Sequence, residues 1–149
     1  MKEELVKNWM TDEPITITPE TTLPAAHKLM TGSEIRRLPV VDKDNKLVGM
    51  VTLGDIRGAE ASSATTLSIW ELNHLLSLLT VAEFMTSPAK TIEQDATLGQ
   101  AALRMLENRL SGLPVVDENG RLVGIITASD IFAMVVLHEW QQGQGLPAA

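Results

Sequence analysis

The sequence predicts a mixed α/β (α+β) fold made from one β-α-β-β-α unit used twice, and three observations predict it. First, Leu113-Pro114-Val115-Val116-Asp117, four turn residues, Leu122-Val123-Gly124, two apolar residues, Thr127 and Asp130-Ile131 repeat an earlier frame. That frame is Leu38-Pro39-Val40-Val41-Asp42, Leu47-Val48-Gly49, Thr52 and Asp55-Ile56, at an offset of 75 positions. So many identities in one register set the architecture before any local reading. Second, apolar runs flank the polar turn Asp42-Lys43-Asp44-Asn45-Lys46 and its counterpart, the pattern of a β-hairpin whose Asp, Asn and Gly supply turn conformations. Third, apolar residues upstream of each hairpin recur at helical spacing: Leu23, Ala26, Leu29 and Met30 in one copy, Leu98, Ala101, Ala102, Met105 and Leu106 in the other.

Taken in order, each copy opens on a Met-Thr…Pro lead-in, Met10-Thr11-Asp12-Glu13-Pro14 or Met85-Thr86-Ser87-Pro88. A short extended segment follows, Ile15-Thr16-Ile17-Thr18 or Ala89-Lys90-Thr91-Ile92. After the helix, Pro39 and Pro114 lack an N–H and suit the start of a strand rather than its middle. The second hairpin strand ends at Thr52 or Thr127, and a helix is expected to begin near Asp55 or Asp130, since Thr-x-x-Asp before an apolar run is a helix-start signal.

The flanks are less regular. Residues 1–9 are expected to form a short helix with Leu5, Val6 and Trp9 on its apolar side. Gly58 to Thr66 is small and polar and reads as a mobile linker. Leu72, Leu75, Leu76 and Leu79, with Ile69 and Trp70, mark an amphipathic helix after it. Ile131, Phe132, Met134, Val135, Val136 and Leu137 make the last helix apolar on nearly every side, which predicts burial against a second copy. The tail from Gln141 to Ala149 is expected to fray. The domain reading is therefore 1–60 for repeat one with an N-terminal helix, 61–79 for the linker, 80–140 for repeat two and 141–149 for the tail.

Composition bounds function. At 149 residues, 44% apolar and 21% charged, the chain suits one globular module whose two repeats are too small to be stable alone. A net charge of −7, with 12 basic and 19 acidic residues, opposes nucleic-acid binding, which needs a basic stripe. The absence of cysteine excludes disulfides, thiolate chemistry and Cys-based zinc sites. No apolar run has the length of a membrane span, and Met1-Lys2-Glu3-Glu4 does not open a signal peptide, so a cytoplasmic location is expected. His27, His74 and His138 lie far apart, and the Asp42-Lys43-Asp44-Asn45 turn lacks the later Glu of a calcium loop, so no metal site is expected. No nucleophile elbow, phosphate loop or dinucleotide-binding turn is present, and no catalytic residue is assigned: the chain is not expected to be an enzyme.

The motif from Pro-Val-Val-Asp to Gly-apolar-apolar-Thr-x-x-Asp, present twice at matched spacing, resembles that of tandem CBS (cystathionine-β-synthase) domains, the Bateman module. The resemblance covers residues 6–60 and 80–140. It implies a pseudo-twofold pair of α/β units packed through their sheets, with two clefts that commonly take AMP, ADP, ATP, NAD(H) or S-adenosylmethionine. It also implies disc-like homodimers formed through the helices.

On spacing alone, Thr52/Asp55 and Thr127/Asp130 are helix N-caps. The resemblance adds a second role, the Asp accepting from a ribose diol while Thr and the helix N-terminus meet a phosphate. Arg36 and Arg37, the only adjacent arginines, supply the positive charge an acidic protein needs to hold an anion, and guanidinium groups suit phosphate. Pseudo-symmetry then expects one ligand cleft formed by Ile15, Ile35, Arg36 and Arg37 with Thr127 and Asp130. A second would join Ala89, Leu110, Ser111 and Gly112 with Thr52 and Asp55, where Ser111-Gly112 replace the arginine pair and make phosphate binding doubtful. The implied function is a stand-alone regulatory module that needs no cofactor. It would bind an adenine nucleotide or other adenosyl effector, form a homodimer and signal to a protein partner by changing shape. The alternative is a scaffolding homodimer with empty clefts that docks a partner.

Overall fold

The structure, a computed structural model, describes residues 4–63 and 67–140. In chain order its elements are β1 (Thr11–Asp12), α1 (Leu23–Ser33), β2 (Arg37–Val41), β3 (Leu47–Thr52), α2 (Leu53–Ser63) and α3 (Ile69–Leu78), then β4 (Ile92–Glu93), α4 (Leu98–Asn108), β5 (Gly112–Val116), β6 (Leu122–Thr127) and α5 (Ala128–Val135). Short 3-10 turns lie at Val6–Asn8 and Val81–Glu83, and a π-helical turn at Val136–Trp140 follows α5. These form two compact units: Ile15–Ala89, and the two ends of the chain, up to Pro14 and from Lys90 onward.

In the unit Ile15–Ala89, β2 and β3 pair antiparallel from Arg37↔Thr52 to Val41↔Leu47. Their turn is built by Asp42, whose Oδ1 accepts the N–H groups of Asp44 at 2.8 Å and Lys46 at 3.0 Å. Asn45 takes the left-handed conformation the turn requires, with φ 62°. The bond from the Lys46 N–H, more than any other influence, holds the Asp42 carboxyl below the usual carboxylate range. The core joins Leu23, Ala26 and Met30 of α1 to Leu38, Val40, Val51, Ile56 and Val81, as the helical and two-residue periodicities require.

Two expectations change in this unit. Gly58 to Ser63 is not a loop but the second half of α2, consistent with the helix-favouring Ala59 and Ala61 and with open space beside Gly58; residues 64–66 of the expected linker lie outside the described residues. In α3, Leu76 and Leu79, the residue that ends it, lie against the core, but Ile69 and Trp70 do not join them, and Trp70 is 81% exposed.

Pro39 and Pro114 lie in the middle of their strands, not at the start. Pro39 opposes Met50, whose own N–H and C=O bond instead to Thr86, so the missing donor faces away from β3. On that outer side, Ile17 donates to Pro39 O (3.0 Å) and accepts from the Val41 N–H (2.9 Å). The next rung back toward Ile15 would need an N–H from Pro39. The parallel ladder therefore stops after a single bridge, Ile17↔Val40, and the expected strand at Ile15–Thr18 does not form.

The other unit holds a four-stranded sheet in the order β1-β6-β5-β4. Its β5–β6 turn repeats the first, with Asp117 Oδ1 accepting from Asn119 and Arg121 and with Gly120 at φ 79°, the position equivalent to Asn45. The core comprises Ile92, Leu98, Ala101, Met105, Leu113, Val115 and Ile126, together with Val6 from the N-terminal turn. Val6 donates to Ala96 O (2.8 Å), Lys7 to Gln94 O (3.0 Å), and Glu4 O accepts from Leu98 (2.8 Å). Burying Val6 contributes roughly 1.5–3 kcal/mol. Residues 4–14, expected within domain 1–60, thus complete the unit that carries the second repeat, because their hydrogen-bond partners and their one fully buried side chain are there.

Glycine explains the lead-ins. A Cβ at Gly124 would lie 2.5 Å from Met10 Sδ and 2.8 Å from Thr11 O; at Gly49 it would lie 2.6 Å from Met85 Sδ and 3.0 Å from Thr86 O. The Met-Thr before the first repeat seats on the glycine of the second, and the Met-Thr before the second seats on the glycine of the first.

Helix faces also differ from expectation at the C-terminal end. Leu106 is 78% exposed, because eight residues beyond Leu98 it has turned about 80° from that residue and about 140° from Ala101. In α5 and the following turn, Ile131 and Met134 meet the core, while Phe132, Val135, Val136 and Leu137 are exposed and not buried within the chain. The tail 141–149 lies outside the described residues. Among the described residues no helix is long and apolar enough to cross a membrane.

Gly124→Ala is predicted to lower stability by about 1–3 kcal/mol, the cost of overpacking. Adding Met10→Ala should not restore it, since the Thr11 carbonyl stays in place. Urea unfolding midpoints at unchanged m-value check this; a Gly124→Ala midpoint equal to wild type would refute the seat.

Candidate functional site

The two Thr-x-x-Asp motifs each join a strand end to a helix start. The helices begin at Leu53 and Ala128, two residues earlier than expected, because Thr52 and Thr127 take the N-cap and the Asp stands in the first turn. The Thr52 N–H donates to Asp55 Oδ2 at 2.8 Å, and the Asp55 N–H donates to Thr52 Oγ1 at 3.1 Å. In the second copy the Thr127 N–H donates to Asp130 Oδ2 at 2.8 Å, and the Thr127 hydroxyl donates to the same oxygen at 3.1 Å. The capping role is therefore real in both copies. Each cap engages only Oδ2, and Oδ1 of each half-buried carboxylate makes no hydrogen bond among the described residues. A carboxylate can thus cap and still accept from a hydroxyl.

The hairpin ladder brings Arg37 directly opposite Thr52. Strand alternation puts Arg37 on the face of Pro39 and Val41, and Arg36 stands in the bend just before the strand. Burial and the neighbouring Arg36 charge both lower the Arg37 pKa, burial contributing most. The Ile15 backbone N–H and C=O make no hydrogen bond among the described residues, a consequence of the ladder ending at Pro39. The Ile15 side chain is exposed, and the Ile35 N–H closes α1 by donating to Met30 O at 3.0 Å.

In the other unit the same geometry recurs without the arginines. Gly112 opposes Thr127, and Ser111 O accepts from Ala128 N at 2.9 Å, as Arg36 O accepts from Leu53 N at 2.8 Å. The Leu110 N–H closes α4 on Met105 O, and its side chain is exposed. Ala89 is half-buried at the end of its unit, one residue before Lys90, the true counterpart of Ile15. Ile15, Ile35, Arg36, Arg37, Thr52, Asp55 and Ala89 thus belong to the unit Ile15–Ala89, and Leu110, Ser111, Gly112, Thr127 and Asp130 to the other.

Sequence reasoning missed one feature. A groove of about 440 Å³ runs between α1 and α2, with Met30, Ile35 and Leu53 as apolar lining. Its polar lining includes His27, Glu34, Arg36 and Arg57. His27 Nδ1 lies 3.2 Å from Glu60 Oε1, an oxygen buried from solvent with no other partner. The available signal was the offset of 75: His27, Arg36 and Arg57 correspond to Ala102, Ser111 and Phe132. Among the described residues no group of three or more His, Asp or Glu is placed to hold a metal.

The CBS domain family model matches residues 6–62 and 81–136. The chain belongs to the CBS domain family. A CBS domain-containing protein of Dictyostelium discoideum is 36% identical over 132 residues, 89% of this chain and 91% of that protein. The CBS domain pair of protein MJ0100 in complex with 5′-methylthioadenosine and S-adenosyl-L-methionine superposes with a TM-score of 0.76 at 32% identity, covering 89% of this chain and 96% of that one. CBSX2 of Arabidopsis thaliana in complex with AMP gives a TM-score of 0.77 at 26% identity, covering 90% and 97%. Other curated relatives are far longer, and this CBS chain spans only 22%, 25% and 20% of three of them.

Replacing Asp55 or Asp130 by Ala is predicted to cost roughly 0.5–2 kcal/mol through loss of the cap, and by Asn far less, since Asn keeps an acceptor for the Thr N–H. Thermal or urea unfolding of the four variants checks the order; equal costs for Ala and Asn would sink it.

Proposed function

We propose that this CBS protein is a regulatory module that binds an adenosine-containing ligand, of the AMP, ADP or ATP type, at its Thr-x-x-Asp helix starts. The observation that carries this reading is the division of labour within Asp55 and Asp130: Oδ2 holds the cap and Oδ1 is left to accept from a ribose hydroxyl. Three further features support it. The Thr52 and Thr127 ends are helix N-termini, which favour a phosphate. Arg37 stands beside Thr52 and keeps its charge despite partial burial. Ile15 offers an N–H and C=O that are unpaired among the described residues and suited to the edge of an adenine ring. The liganded relatives, with AMP in one and S-adenosylmethionine and methylthioadenosine in the other, add to this support. Ligand shifts a conformational equilibrium only through its differential affinity for the two states, so the signal to a partner requires the free and bound forms to differ at these helix starts.

The test is a thermal-shift and calorimetric titration with adenosine, AMP, ATP and S-adenosylmethionine. At a ligand concentration one hundred times Kd, stabilisation of about 2.7 kcal/mol is expected. Asp55→Asn or Asp130→Asn, folded because the cap survives, should weaken the ligand about tenfold or more, as loss of a charged hydrogen bond would. Arg37→Gln should weaken AMP and ATP but leave adenosine unchanged. Wild-type indifference to all four ligands at millimolar concentration would defeat the reading.

The exposed side chains of α5 and the turn after it favour self-association: Phe132 is 67% exposed, beside Val135, Val136 and Leu137. We propose a homodimer through this face. Phe132→Glu is predicted to shift the sedimentation-derived mass from dimer to monomer while leaving adenosine binding in place; a wild-type monomer at micromolar concentration would exclude it.

A further inference from the structure

We infer that Glu4 is a latch that couples residues 4–9 to the π-helical turn after α5, so that each segment holds the other in place. Its two carboxylate oxygens are divided between them. Oε2 accepts from the Trp9 indole N–H at 2.9 Å. Oε1 stands 2.7 Å from His138 Nε2, a contact that the imidazole can make as donor in its neutral Nε2–H form or in its charged form. The Trp9 and His138 rings meet edge to face, with centroids 6.3 Å apart and planes at 62°. All three residues belong to the unit that carries the second repeat.

The two segments differ in how firmly they are held by other means. The turn Val136–Trp140 lies past the end of α5, and Val135, Val136 and Leu137 at its start are exposed. A helix end with so little burial opens readily. Residues 4–9, by contrast, are seated by Val6 in the core and by the bonds from Val6 to Ala96 O and from Lys7 to Gln94 O. Glu4 is the piece through which the seated segment restrains the loose one. Its side chain is 24% exposed, so the contacts form partly sheltered from water, where a charge-assisted hydrogen bond is stronger. Lys7, three residues along, does not compete for it, because its Nζ pairs with Asp95 at 2.8 Å.

The first repeat provides an internal control. At an offset of 75, the equivalents of Glu4, Trp9 and His138 are Leu79, Phe84 and Ser63. Leu79 and Phe84 pack against the core of their own unit, and neither a carboxylate nor an imidazole stands in this set. The latch is thus a property of one copy and not a consequence of the repeated fold. Coupling of this kind is reciprocal: whatever lifts residues 4–9 frees the turn, and whatever engages the turn tightens residues 4–9. It requires neither the adenosyl ligand nor self-association.

Native-state hydrogen exchange of the full chain tests the latch, in a Phe132→Glu background so that cover from a second copy does not enter. Glu4→Ala should speed exchange of the 136–140 amides about tenfold or more, as loss of a charged hydrogen bond would. Trp9→Phe, which keeps a ring beside His138 but removes the N–H that holds Oε2, should give a smaller rise. The double variant Glu4→Ala/His138→Ala should exchange no faster in the turn than the faster of the two single variants, because both remove one contact. Amides of β5 and β6 should keep their rates, which separates a local latch from general destabilisation. Should Glu4→Ala fail to fold, Glu4→Gln, which keeps an acceptor for Trp9, reads the same exchange. Turn amides at the unsubstituted rate in the Glu4 variant, additive effects of Glu4→Ala and His138→Ala, or an equal rise in β5 and β6 overturns the inference.

Discussion

A backbone carbonyl at 2.8–3.0 Å from where a side chain would begin is the constraint on which the rest of the fold depends. At Gly49 and Gly124 only hydrogen fits, and the space is taken by a Met-Thr segment that follows or precedes the repeat by tens of residues. The exchange is reciprocal. Met85-Thr86, on the way into the second repeat, closes the β3 edge of the first; Thr11-Asp12, on the way into the first, forms β1 against β6 of the second. An exposed β-edge invites wrong pairing, and here each edge is covered by chain that the other repeat's frame contributes. Neither repeat is complete when cut at its own sequence boundaries, which is the structural form of the small-domain limit that length alone suggested.

That exchange also marks where sequence reasoning stops. Hairpins, helices and caps are local, so Val40-Val41, Asp42, Leu47-Val48 and Thr52-x-x-Asp55 are legible from residue type and spacing, in both copies. The destination of Val6 or Met10 is not local. Nothing in Leu5-Val6 says which of two equivalent cores it enters, and proximity along the chain favours the wrong one. Pro39 shows a different failure. A rule about strand interiors concerns the hydrogen bonds a residue must make; Pro39 sits mid-strand because its missing N–H faces the side where only one rung forms. The site was legible in the same uneven way. Thr52/Asp55 and Thr127/Asp130 were visible as motifs, whereas the pairing that sets Arg37 opposite Thr52 and leaves Arg36 outside the strand comes only from the observed register.

The candidate site shows how one device can serve stability and binding at once. A helix start needs an acceptor for its first N–H groups, and an Asp at that point satisfies the need with one oxygen. The second oxygen and the residual positive end of the helix then cost the fold nothing further. Such a site is preorganised, since the cap that positions the carboxylate is already formed without ligand. It also explains why residue spacing alone could not separate a cap from the proposed ribose contact: one carboxylate has an oxygen for each.

Duplication supplied two equivalent helix faces, and their later chemistry diverged. Across α1 and α2 the outward positions are His27, Thr31, Arg57 and Glu60; across α4 and α5 the matching positions are Ala102, Leu106, Phe132 and Val135. Leu106 and Phe132 are among the most exposed apolar side chains of the described residues, at 78% and 67%. Apolar area of that kind gains by being covered, at roughly 25 cal/mol per Å², while charged groups at the matching positions gain by staying solvated. A single symmetric surface could not satisfy both demands, because arginine at the Phe132 position would leave a charge to be desolvated on association. With two copies, one face is apolar at Leu106, Phe132 and Val135 where the other carries Thr31, Arg57 and Glu60. The pattern of substitution at an offset of 75 follows that division, position by position.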